Sequence, residues 1–199
     1  MPNIVTRPTE IVTRAGIATH LDRRQLFRSA GGATLSAAAI AILGGCMTTA
    51  NATMASAADV DILNVALGLE HEAINAYQLG AESKLLQKPV LDLAVTFQGH
   101  HKEHADLLAK TVEKLGGKPV AAKANYNFPA DQLKSQADVL KFAARLEQGA
   151  VSAYLGAVPL FGSRDLSKAA ASILGDEAMH WAVLRQALGE APVPSAFVA

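Results

Sequence analysis

Two nine-residue stretches carry the same pattern of residues able to do chemistry. Residues 69–77 read LEHEAINAY and residues 146–154 read LEQGAVSAY. Both fit L-E-x-x-A-β-x-A-Y, with Ile74 or Val151 at the β-branched position. Each copy places a carboxylate, Glu70 or Glu147, inside an otherwise apolar stripe, and each is followed by a pair of imidazole or carboxylate groups three residues apart. Glu70 leads to His101 and His104 at gaps of 31 and 3; Glu147 leads to Glu177 and His180 at gaps of 30 and 3. A fixed internal repeat constrains a fold before any local pattern does. An ionised carboxylate in an apolar stripe is expensive unless it is paired, hydrogen-bonded or bound to a metal. Residues three apart on a helix share a face, so both members of each pair can reach one point. Oxygen and imidazole donors without thiolates suit iron, manganese or zinc. The only cysteine, Cys46, lies outside the repeat, so no disulfide framework or thiolate site is available.

The elements that must position these groups read as four helices. The first runs from about Val60 to Ala81, with Asp59 or Asp61 as N-cap. Its stripe through Glu70 is Leu63, Ala66, Leu67, Ala73, Ile74 and Tyr77, the inward face of an amphipathic helix. The second opens near Pro89 and closes at Gly116-Gly117. The third follows Ser135, whose spacing to Asp138 is a variant capping box. The fourth opens after Ser163 or Asp165 and ends at Gly189. The links of about seven and about eight residues predict antiparallel hairpins. Between Gly116 and Gln136 lies a stretch of about twenty residues holding Pro119, Asn125, Asn127 and Pro129. It serves as the one long crossover that joins two hairpins into a four-helix bundle. Ala dominates the body and β-branched residues are sparse, against a strand reading.

On this pattern residues 59–199 resemble a ferritin-like domain, of the group that includes rubrerythrin-type di-iron proteins and exported ferritin-like proteins. The resemblance implies one Glu from each of two helices and a Glu-x-x-His from each of the other two, converging on a two-metal site. By position it implies Glu70 and Glu147 as the single carboxylates, Glu177 and His180 as one full pair, and His104 as the histidine of the other. His101 stands where the family has Glu, a residue that usually bridges the metals. Three carboxylates and three imidazoles then carry less negative charge for two divalent cations. The candidate metal ligands are Glu70, His101, His104, Glu147, Glu177 and His180. Three outcomes stay open: a dimetal centre bridged mainly by Glu177, a single-metal histidine-rich site, or a degenerate polar core. Glu103 points about 200° away around the helix, and His100, aligned with Asp176, reads as an outer or surface residue. Tyr77 and Tyr154 read as core phenols that hydrogen-bond a carboxylate rather than as redox groups.

The body carries 13 basic and 16 acidic residues from Asp59 onward, which excludes a nucleic-acid footprint. Before Asp59 stand five Arg and two acidic residues, and residues 29–58 contain neither charge nor histidine. Residues 1–58 resemble a twin-arginine signal peptide with a small-residue tether, although Asp22 replaces the usual Ser or Thr. Leu43-Gly44-Gly45-Cys46 looks like a lipobox, which implies a lipidated membrane tether. Ala50-Asn51-Ala52 and Ala55-Ser56-Ala57 are competing cleavage sites, and an uncleaved anchor is the further alternative. The expectation is an exported protein of the periplasm or cell envelope. Its cofactor would be iron, as a di-iron site, or manganese, or no metal at all. Its partners would be metal ions and a small oxidant such as peroxide or dioxygen, with a homo-oligomer open. The alternative is a metal-free bundle with a structural, stress- or desiccation-related role in the envelope. A storage cage is a third and weaker reading.

Overall fold

A computed structural model of the protein describes residues 57–198. The twin-arginine-type leader, the lipobox at Cys46 and the competing cleavage sites up to Ser56 lie outside the described residues. Among the described residues the secondary structure is helical throughout: α1 (Ala57–Glu82), α2 (Lys88–Lys114), α3 (Gln136–Ala157) and α4 (Arg164–Ala187), with short 3-10 turns at Ala130–Gln132 and Val158–Leu160. None of these helices is long and apolar enough to cross a membrane. Helix α1 packs chiefly on α2 and α3 on α4, and α1 also meets α3. The architecture is two helical hairpins joined by the segment from Leu115 to Ser135, a ferritin-like four-helix bundle.

Local chemistry explains where the helices stop. Pro89 sits in the first turn of α2, where its missing N–H costs no helical bond. At the other end Gly116 takes φ +79°, Gly116 N donates to Glu113 O, and Gly117 N donates to Val112 O. Those bonds close α2 with a left-handed glycine cap. Gly117 is held for a further reason: a Cβ there would fall 2.5 Å from Val60 Cγ1. Ser135 Oγ accepts from Asp138 N, and Asp138 accepts in return from Ser135 Oγ and Lys134 N. This completes the variant capping box. Ser163 precedes α4 without a side-chain cap.

The N-cap expectation at Asp59 or Asp61 is corrected. Helix α1 already includes Ala57, so both residues lie inside it. Asp59 is buried and its Oδ1 accepts from Gly162 N at 2.9 Å. It therefore fastens α1 to the link before α4, between hairpins. The links also close sooner than the spacing suggested, over residues 83–87 and 158–163.

Two apolar layers flank the middle of the bundle. One is built on Leu63, Leu67, Leu108, Val112, Leu166 and Ile173; the other on Tyr77, Phe97, Leu140, Ala144 and Leu184. Burying such side chains contributes roughly 1.5–3 kcal/mol each. Between these layers sit the polar residues. Removing the Asp59 carboxylate should take from the Gly162 N–H its charged acceptor and destabilise the fold by about 1.5–3 kcal/mol, the range for a hydrogen bond to a charged group. The exposed Asp61→Ala change should stay within about 0.5 kcal/mol. Urea unfolding of the two variants side by side measures the difference, and equal midpoints would refute the inter-hairpin role of Asp59.

Candidate metal centre

Four helices each deliver part of the polar layer. Helix α1 brings Glu70, α2 brings His101 and His104, α3 brings Glu147, and α4 brings Asp176, Glu177 and His180. Glu70, His101, Glu147, Glu177 and His180 are almost wholly buried, with exposures of 2%, 1%, 1%, 0% and 2%. His104 is half-buried by comparison. The six residues singled out in the sequence all converge here, in two overlapping groups. The first is Glu70, His101, His104 and Glu177; the second is His101, Glu147, Glu177 and His180.

The distances show how the groups share members. His101 Nδ1 lies 2.8 Å from Glu70 Oε2 and 3.6 Å from Glu177 Oε1. His104 Nδ1 lies 3.1 Å from Glu177 Oε1 and 3.6 Å from Glu70 Oε2. In the second group His101 Nε2 is 3.3 Å from Glu147 Oε1. His180 Nδ1 is 3.4 Å from Glu147 Oε1 and 3.5 Å from Glu177 Oε2. Glu177 thus turns one oxygen to each group, and His101 turns one ring nitrogen to each. A neutral imidazole has a single lone pair, so His101 straddles both groups but can offer a donor to only one at a time.

The tyrosines tie the two halves together crosswise. Tyr77, from the first repeat, donates to Glu147 Oε1 of the second. Tyr154, from the second, donates to Glu70 Oε1 of the first at 2.5 Å. Each phenol is pushed well above its ordinary range by burial and by the glutamate beside it, so both stay protonated as donors. Phe97 lies flat on the His180 ring, with centroids 4.0 Å apart, and fixes its plane.

Asp176 is the functional candidate that the spacing argument left out of the site. Its Oδ2 lies 3.3 Å from His180 Nε2, 3.4 Å from His104 Nε2 and 3.1 Å from His100 Nδ1. One carboxylate therefore backs the far nitrogens of both inner histidines, the arrangement that fixes ring orientation and tautomer. The signal was present in its position immediately before Glu177, on the same turn as the Glu-x-x-His. His100 donates to or accepts from His180 Nε2 at 2.9 Å and is partly exposed.

Electrostatics follow from this crowding. Burial raises Glu70, but hydrogen bonds from His101 and His104 outweigh it and hold the carboxyl at about 2. Glu147 is driven low in the same way by His101 and His180, against its burial. Asp176 is also driven low by His104 and His180 despite burial. Glu177 goes the other way: burial dominates and raises it. Burial alone would favour neutral imidazoles, yet the carboxylates win. His101 rises to about 10, His104 to about 12 and His180 to about 11.

The polar layer is not fully satisfied. Glu177 Oε1 and Oε2, His104 Nδ1 and His180 Nδ1 are buried without a hydrogen-bond partner, although Glu177 Oε1 and His104 Nδ1 lie 3.1 Å apart. A buried polar group left so costs about 1–3 kcal/mol. All four atoms face the two groups, and carboxylate oxygen with imidazole nitrogen is a donor set that transition-metal cations accept. The residues present fit a metal.

Comparison with known proteins bears on the fold. A family described as a ferritin-like domain matches residues 58–190. Among solved structures, the crystal structure of a conserved hypothetical protein, Rv2844, from Mycobacterium tuberculosis is similar, with a TM-score of 0.62 and 26% identity. The match covers 67% of this chain and 98% of that one. No curated protein matches.

The pH behaviour of chelator-treated protein follows from these shifts. Folded imidazoles bind protons more tightly than the ordinary value of 6.5, so their contribution is complete below that pH. It is lost as pH rises through about 10 to 12. Glu70, held at about 2 against 4.5, contributes above 4.5 and loses its contribution as pH falls towards 2. The raised Glu177 has the opposite sign and adds to the decline above 4.5. Thermal melts across pH should peak between about 4.5 and 6.5. Stability still climbing from pH 7 to 9 would contradict the assignment of imidazolium ions to the core.

Proposed function

The chain belongs to the ferritin-like domain family, and from the geometry of its core we propose that it is a metal protein of the redox type. Its buried centre would take divalent iron or manganese and react with peroxide or dioxygen. The observation that carries this reading is the set of four buried, unpartnered donor atoms on Glu177, His104 and His180. A hydrogen-bonded polar core would have no reason to leave them unpaired.

Each residue has a part. Glu70, His104 and Glu177 would hold one ion; Glu147, His180 and Glu177 would hold the other; and His101 would serve whichever group receives its lone pair. With the imidazoles neutral, Glu70, Glu147, Glu177 and Asp176 supply four negative charges, which match two divalent cations. Asp176 makes good the charge that the replacement at His101 seemed to remove. A bound iron or manganese ion would supply one-electron exchange with the oxidant. Tyr77 and Tyr154 orient Glu147 and Glu70 through their phenol protons. The apolar layers on either side exclude water. Asp176, 3.4 Å from His104 Nε2 and 3.3 Å from His180 Nε2, would draw the ring protons to Nε2, which would leave both Nδ1 lone pairs facing inward. The leader of residues 1–58, with its adjacent Arg23 and Arg24, supports export of a bundle already folded.

A second reading has an observation in its favour. The pairing of His101 with Glu70 at 2.8 Å, and the preference for imidazolium, suit a metal-free ionic core with a structural role in the envelope.

One experiment separates the two. Anaerobic titration with Fe2+ or Mn2+, followed by metal analysis after desalting, should show retained metal and proton release, since protonated imidazoles must give up their protons to bind. Glu177→Ala, which removes a donor from both groups, should weaken retention by roughly 100-fold or more, about 2.7 kcal/mol. Peroxide added to the Fe2+-loaded protein should oxidise the iron faster than in a buffer blank. Wild-type protein that retains no metal, or retains it equally with Glu177→Ala and His101→Ala, would leave the ionic core as the better account.

A further inference from the structure

We propose that His100, Asp176 and the outward nitrogen of His180 form a loading site, where a divalent transition-metal cation rests between solvent and the buried centre. The inference builds on the metal-centre reading and adds to it a route of entry.

Three donor atoms meet outside the two inner groups. His100 Nδ1 and His180 Nε2 are 2.9 Å apart, His100 Nδ1 and Asp176 Oδ2 are 3.1 Å apart, and His180 Nε2 and Asp176 Oδ2 are 3.3 Å apart. Donors around one cation at ~2.0–2.2 Å stand about 2.9–3.5 Å from each other, so this triangle already has the size of a coordination face. Two imidazoles and one carboxylate make a three-donor site with positions left for water, which suits exchange better than permanent storage.

Exposure is graded along the triangle. The side chain of His100 is 41% exposed, that of Asp176 is 23% exposed, and that of His180 is 2% exposed. A cation met by His100 would therefore pass inward along the same three residues. His180 is the step between the sites. Its Nε2 belongs to the outer triangle, while its unpartnered Nδ1 faces Glu147 and Glu177. A neutral imidazole has one lone pair, so His180 can serve the outer cation or the inner one. Passing the cation inward exchanges the ring proton from Nδ1 to Nε2, where Asp176 accepts the new N–H; no proton is gained or lost overall. The stacked Phe97 ring keeps the imidazole in plane during this exchange, so that the two nitrogens stay aimed at their separate sites.

The competing account is that Asp176 and His100 merely brace the inner histidines by hydrogen bonds. Kinetics distinguish the two. Chelator-treated full-length protein is mixed with Co2+ in a stopped-flow instrument, and the visible absorption of the bound ion is followed to completion. His100→Ala should reach the wild-type final amplitude and stoichiometry but take up Co2+ roughly tenfold more slowly, about 1.4 kcal/mol in the barrier to uptake. His100→Asp, which returns a donor to the triangle, should recover much of the rate, and His100→Phe, which keeps a ring near Phe97 but has no donor, stands in if His100→Ala folds poorly by circular dichroism. Full binding at an unchanged rate in the variant without a donor overturns the loading site alone. A lowered final stoichiometry in His100→Ala also overturns it, since His100 would then brace or complete the inner centre. Wild-type protein that takes up no Co2+ at all overturns the metal centre and the loading site together.

Discussion

Everything in this bundle is arranged around Glu177, a carboxylate with no exposed surface and no hydrogen-bond partner for either oxygen. Such a group is hard to keep in a folded protein. Its burial raises its proton affinity, and the nearby imidazoles only partly oppose that rise. The surrounding residues make sense as answers to this one problem. His104 and His180 bring a ring nitrogen near each side of it. Asp176, one residue earlier on the same helix, holds the opposite face of both rings. The apolar layers above and below deny it water, which makes every charge in the layer count for more.

The second constraint is the crossing of the two repeats. A tyrosine seven residues after its own glutamate could have bonded within its helix face. Instead each one reaches the glutamate of the other repeat. The hairpins are thus joined by buried hydrogen bonds at the centre and by Asp59 to Gly162 near one end. The crossover from Leu115 to Ser135 adds ties of its own: Asn64 and His71 of α1 bond the backbone of Lys118 and Val120, and Phe128 packs edge-on against Phe142 of α3. The buried bonds in the core complement these ties, since polar contacts are more selective for register than apolar ones.

Much of this was legible in the sequence, and what was not has physical reasons. The repeat, the glycine cap at Gly116, the capping box at Ser135 and the length of the crossover are local signals, and they sufficed for the four helices and their pairing. The crossed tyrosine bonds could not be read, because spacing along one helix says which residues share a face but not which partner they meet across the bundle. Asp59 misled for the same reason: Asp near a helix start favours a cap, and nothing local told of the bond it accepts from Gly162, more than a hundred residues on. Asp176 was overlooked because a carboxylate beside a Glu-x-x-His looks redundant until both far nitrogens, His104 Nε2 and His180 Nε2, are seen to converge on it.

His101 is where the two halves differ, and its geometry shows how the replacement works. A glutamate at that position would present two equivalent oxygens, one for each group, at no cost in protons. The imidazole also presents two atoms, Nδ1 towards Glu70 and Nε2 towards Glu147, so it too reaches both groups. What it lacks is a second lone pair. Without a metal the ring is an imidazolium that donates to both glutamates. In the metal-bound state proposed above the ring would keep one proton: on Nε2 it would donate to Glu147 and leave Nδ1 for the Glu70 side, and on Nδ1 the roles would reverse. The two groups would then be coupled through one proton, and a pair that a carboxylate would make symmetric would become an alternating one.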